Sequence, residues 1–217
     1  LFITDGSTPG FEGGGAIRNV GKLKLDSTYL VDNATLGLGG AIQNTGTLTV
    51  LKSVLLDNRA VDGGAIWTSS GSLSVKLDSS TLHNNIASGF GGGVRNIGTL
   101  TVINSTIDFN HAGRHGGGVF NEGSVTMNNS TVTINEADSN GDGDGDGGGI
   151  HNVSTLTVRN TILTHNVDAG GEAPDCAGPL TSGGYNLIFN PAGCSIGGTT
   201  TGNLIGVFSP LGPLDNN

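Results

Sequence analysis

The chain has 217 residues, 40 of them glycine, with seven phenylalanines, two tyrosines and one tryptophan, so any core must be assembled from small pieces. A formal charge of -9 opposes electrostatic attraction to nucleic acid or to an anionic membrane surface, and neither partner is expected. No stretch approaches the ~20 apolar residues of a membrane helix, which argues against membrane insertion, and the opening "LFITDGST" lacks the features of an export signal, as if one had been removed.

In chain order, residues 1–13 read as the end of a preceding coil. A segment of the form Gly-Gly-(Ala/Gly)-(Ile/Val)-x-(Asn/Thr) then begins at Gly14, Gly39, Gly63, Gly91, Gly116 and Gly147, at separations of 25, 24, 28, 25 and 31 residues. Each copy closes on an asparagine: Asn33, Asn58, Asn85, Asn110, Asn135 and Asn166. That asparagine follows the first glycine by 19 residues except in the third copy, where the distance is 22 and a small insertion is implied. Short runs of period-two alternation, separated by Gly and Asn corners and lacking helical periodicity, predict stacked parallel strands. The fold expected is an all-β, right-handed, single-stranded parallel β-helix, a solenoid of about 25 residues and three short strands per coil. It would form one domain over 1–217, with six repeat coils over 14–173 and a C-terminal coil or cap over 174–217.

Stacking predicts inward columns. Leu23, Leu48, Leu73, Leu100, Val125 and Leu156 form the first; Leu25, Val50, Val75, Val102, Met127 and Val158 the second; Leu30, Leu55, Leu82, Ile107, Val132 and Leu163 the third. Asn19, Asn44, Asn96, Asn121 and Asn152 make a corner ladder, broken at Thr68, whose amides can donate and accept along the stack. Glycosylation sequons occur at Asn33 and Asn104, but corner packing explains these asparagines as well.

The segments "GGGVRNIGTLTVINSTIDFN" and "GGGIHNVSTLTVRNTILTHN" resemble secreted bacterial right-handed β-helix proteins of the pectin-lyase-like fold, with repeats like those of polymorphic outer-membrane proteins. The tail "DCAGPLTSGGYNLIFNPAGC" followed by "LGPLDNN" resembles the end of such surface proteins. The resemblance spans nearly the whole chain and implies a secreted or cell-surface protein. It is poor in information about activity, because the fold also carries polysaccharide lyases and hydrolases.

Four outward features are candidates for function. Asp32 with Asp57, and His83 with Asp108, occupy equivalent positions in successive coils and are the weak catalytic candidates, against the commoner reading of surface pairs. A mixed column of Arg18, Gln43, Trp67, Arg95, Phe120 and His151 is the candidate binding face, unless loops cover its aromatics. Thr47 and Thr49, Ser72 and Ser74, Thr99 and Thr101, Ser124 and Thr126, and Thr155 and Thr157 form a hydroxyl array of the kind that binds ice, interrupted at one end by Lys22 and Lys24.

The fourth is the run "NGDGDGDGGG", which falls in an inserted loop between Asn135 and Gly147. Asp138, Asn140 and Asp142 match the start of a calcium loop, and Asp144 or Asp146 would complete it, although Gly149 stands where a bidentate Glu belongs. A solvated acidic loop, or pairing with His111, Arg114 and His115 of the previous coil, are the alternatives. Calcium is thus a cofactor the loop could hold, and none is required for folding.

Cys176 and Cys194 favour a disulfide over a pair of buried thiols, which points to export. The function expected is a non-enzymatic extracellular scaffold, a cell-surface adhesion module or a filament subunit, with self-association or a cell-surface or glycan ligand as its partner. Polysaccharide processing or carbohydrate binding is the second reading and ice binding the third.

Overall fold

A computed structural model gives the structure of the chain and describes residues 1–207 apart from 9, 11, 72 and 73. Every strand pairing in it is parallel, and no helix occurs among the described residues. Each coil makes three main strands, for example Ile42–Asn44, Thr47–Leu51 and Val54–Leu56, and a two-residue pairing on the fourth side at Arg59–Ala60. Coils stack into a nine-stranded sheet running from Phe2–Thr4 to Leu204–Ile205, a seven-stranded sheet of the two-residue strands, and a fourteen-stranded sheet. In the last of these, Cys176–Gly183 pairs with both Ile150–Asn152 and Thr155–Arg159 and joins two ladders that run separately below it. The expected all-β parallel solenoid is therefore present.

The core consists of the inward columns. Leu30, Leu55, Leu82, Ile107, Val132 and Leu163 pair in register and are fully buried, as the alternation requires. The third coil corrects the other two columns. Val75, not Leu73, pairs with Leu48 and Leu100, and Leu77, not Val75, pairs with Val50 and Val102. The insertion lies between Thr68 and Ser74, ahead of the long strand; Leu73 and Ser72 themselves fall outside the described residues. Shifting a strand by two residues keeps every apolar side chain inward, so alternation alone does not fix the register. The hydroxyl array changes too: Ser74 pairs with Thr47 and Lys76 with Thr49, so a lysine interrupts the array in its middle.

Corners are made by single residues in the left-handed region. Ser27, Lys52, Ser79, Asn104, Asn129 and Asn160 form one such column, with φ from 46° to 50°. Asp32, Asp57, Asn84, Phe109, Ile134 and His165 form another, with φ from 51° to 57°. The first glycine of each repeat is needed for the same reason: at Gly39 φ is +69° and a Cβ would collide with the carbonyl oxygen of Ile42.

Buried polar ladders seal the turns. In the column from Asn33 to Asn166, the Asn33 oxygen accepts the Gly6 N–H and each later amide oxygen accepts from the backbone N–H and Nδ2 of the asparagine one coil earlier, as Asn110 does from Asn85 at 2.9 Å in both cases. Its own Nδ2 donates to Leu82 O at 3.0 Å and to Asn135 Oδ1 at 2.9 Å, so the group is fully satisfied. The corner column from Asn19 to Asn152 bonds similarly, with the Thr68 hydroxyl donating to Asn96 Oδ1 at 2.8 Å. Asn33 is fully buried, which closes its sequon to a glycan in the folded chain, whereas Asn104 is exposed. Cys176 and Cys194 form a disulfide between paired strands of the last coils.

Candidate functional site

The predicted binding face is one continuous ladder: Arg18, Gln43, Trp67, Arg95, Phe120 and His151 pair successively across the coils. A second column runs beside it, built from the residue before each Gly-Gly: Leu38, Asp62, Phe90, His115 and Asp146. Backbone bonds align it, with Gly39, Gly63, Gly91 and Gly116 N–H groups donating in turn to Asp62, Phe90, His115 and Asp146 carbonyls at 2.9 to 3.0 Å. Sequence reasoning missed this column because corner residues do not alternate, yet its signal is plain in the repeat: the position preceding the first glycine is Leu, Asp, Phe, His and Asp in five consecutive copies.

The two columns interleave. Arg95 donates to Asp62 Oδ2 at 2.6 Å and to Glu122 Oε2 at 3.0 Å, and its guanidinium lies 5.1 Å from the Phe90 ring centroid and 5.7 Å from that of Phe120. Phe90 and Phe120 stack at 4.8 Å, and Phe90 with His115 at 5.6 Å. Phe120 is consequently buried, whereas Trp67, Phe90 and Arg95 keep part of their surface in solvent. Planar groups held this way lose little rotamer freedom when a ligand arrives.

Farther along the same strip, His115 and His151 lie 4.5 Å apart between ring centroids, and His115 Nδ1 accepts the Asp146 backbone N–H at 3.0 Å. Burial, then the neighbouring His115, holds the His151 imidazole below its ordinary range, with Asp146 opposing. His151 Nδ1 is buried without a hydrogen-bond partner among the described residues.

The inserted loop does not gather its acidic groups. The buried Asp138 carboxylate accepts the backbone N–H groups of Asp142 and Gly143 at 3.0 to 3.1 Å and so closes the loop on itself. Asn140 donates to Asp142, which is held below the usual carboxylate range first by the Asp144 backbone N–H, and Asp144 pairs with Arg114. Asp146 faces the two histidines. The pairing of this loop with the previous coil therefore holds for Arg114 and His115, while His111 instead meets Glu136 at 2.9 Å.

The catalytic candidates separate. Asp32 and Asp57 are left-handed corner residues, and Asp57 Oδ1 accepts from Asn84 Nδ2 at 2.6 Å. His83 Nδ1 and Asp108 Oδ2 do meet at 3.0 Å, flanked in the ladder by Leu56 and Thr133, with Asp108 Oδ1 buried and unpartnered among the described residues. Comparison with known protein families, with curated proteins and with solved structures finds no match to this chain.

Proposed function

We propose that the chain is a non-enzymatic extracellular scaffold, a surface adhesion or structural module that presents the Trp67–Arg95–Phe90 strip to a neutral glycan of the cell surface. One observation carries this reading: Arg95 is fixed by two carboxylates and two aromatic rings beside a half-exposed Trp67, on a ladder that has no freedom to collapse. Aromatic faces stack on sugar rings, and a net charge of -9 favours a neutral ligand over an acidic one. A disulfide suits an oxidising location outside the cell.

The test is binding to immobilised neutral oligosaccharides and to whole cells, with new reducing ends measured in the same samples. Binding without cleavage, lost in Trp67→Ala, is the expected result. Cleavage that disappears in His83→Ala or Asp108→Asn would replace this reading with polysaccharide processing, for which the 3.0 Å His83–Asp108 contact is the supporting geometry. Absence of any glycan or cell binding would remove the proposal.

A further inference from the structure

The geometry points to a divalent transition-metal site of the zinc class formed by His115, Asp146 and His151, a site distinct from the calcium pattern of the aspartate run. One ligand atom from each of the three lies within 4.8 Å of the others. A tetrahedral zinc ion brings its ligands to roughly 3.3 Å from one another, so side-chain rotations of about 1 Å suffice. Two imidazoles and one carboxylate, with a position left open, form a nitrogen-rich donor set suited to zinc or cobalt and unsuited to calcium, which takes oxygen.

Two further observations ask for a cation here. Asp146 also belongs to a second grouping, with Asp168 and Glu172, whose carboxylate oxygens come within the same 4.8 Å. Among the described residues no Lys or Arg forms an ion pair with any of these three carboxylates, while the nearby Arg114 is taken by Asp144. Asp168 is held in place by the N–H groups of Gly170, Glu172 and Ala173, at 3.0 to 3.2 Å, so it cannot swing away. The buried, unpartnered His151 Nδ1 is the other unmet group.

Coordination through His115 has a cost that the structure makes visible. Its Nδ1 now accepts the Asp146 N–H, which leaves the ring proton on Nε2; a metal at Nε2 requires the proton to move to Nδ1 and that hydrogen bond to be given up. One hydrogen bond is small against a metal–nitrogen bond.

The experiment is titration of chelator-treated protein with Zn2+ and with Co2+, followed by calorimetry and by the visible absorption of bound cobalt. One ion per chain is expected, with a tetrahedral cobalt spectrum abolished by zinc. Affinity should fall roughly a hundredfold in His115→Ala or His151→Ala and in Asp146→Asn, and stay unchanged in Asp142→Asn and His83→Ala. Circular dichroism checks folding; should His151→Ala unfold, His115→Ala, at a half-exposed position, carries the same test. Either of two results overturns the site: no zinc or cobalt binding at tens of micromolar, or binding that persists in the His115→Ala/His151→Ala double variant.

Discussion

Asn166 donates both its backbone N–H, at 3.2 Å, and its Nδ2, at 2.9 Å, to Oδ1 of Asp175, so a carboxylate stands where the asparagine ladder would place its next amide. The other oxygen, Oδ2, accepts the Asn190 N–H at 2.6 Å. An asparagine could satisfy one side only, because its NH2 would face a donor on the other. The change from amide to carboxylate thus follows from donors on both sides.

Asp175→Asn should therefore destabilise the chain by about 1–3 kcal/mol at neutral pH, the cost of an unsatisfied buried N–H. Burial raises the Asp175 pKa above its unfolded value, against the opposing hydrogen bonds from Asn190 and Asn166. Between about 3.9, the unfolded value, and the raised folded value the native state holds more protons than the unfolded one. Stability from this group is complete below the unfolded pKa and declines as pH rises through the folded pKa. The gap in stability between wild type and Asp175→Asn should accordingly widen on acidification; thermal unfolding at a series of pH values that shows it narrowing would contradict the sign.

Asn110→Ala removes four side-chain hydrogen bonds at once, leaving the buried Asn85 N–H without its acceptor, while Asn85 Nδ2 keeps only Leu55 O and Asn135 Oδ1 keeps only the Asn110 backbone N–H. A loss of about 2–4 kcal/mol is expected. Asn129→Ala, at an exposed left-handed corner that asparagine tolerates better than alanine, should cost less, about 1 kcal/mol. Denaturant midpoints of the two variants measure the contrast, and equal losses would show that the inner ladder carries no special weight.

These ladders were legible in the sequence because a solenoid repeats every contact, so Asn33 to Asn166 and Leu30 to Leu163 fall into register by counting from the first glycine. The third coil was not. Leu73, Val75 and Leu77 alternate equally well in either of two registers, and only the pairing of Ser74 with Thr47 fixes which is used. The site was legible by halves. His151 and Asp146 stood out by column and by composition, but their meeting depends on the corner column, whose residues do not alternate. Asp32 and Asp57 stand in the sequence as stacked acids, although their left-handed φ of 55° and 57° gives a conformational reason for them.

Removing calcium should leave the coils folded, since the inward columns and asparagine ladders pass beneath the inserted loop without using its carboxylates. Asp138→Ala should cost about 1–3 kcal/mol with or without calcium, because that side chain caps the loop's own N–H groups. Thermal unfolding in chelator and in millimolar calcium tests both statements together. A melting temperature that collapses in chelator for wild type would show that a bound ion holds the solenoid together.

Ile134 occupies the left-handed corner at φ 54° with 42 % of its surface exposed, while the equivalent position two coils earlier is Asn84. A β-branched residue is poorly tolerated there, because Cβ crowds the following carbonyl oxygen, at a cost of about 1–2 kcal/mol relative to a residue that adopts this region readily. Asparagine is such a residue, and little apolar burial is lost at so exposed a site. Ile134→Asn should therefore raise stability by about 0.5–1 kcal/mol, with Ile134→Gly giving less because glycine gains more freedom when unfolded. Chemical denaturation of the three proteins decides it. If both substitutions destabilise, Ile134 is held by packing that outweighs its backbone strain, and the corner would then be a point where side-chain contact, rather than conformational preference, selects the residue.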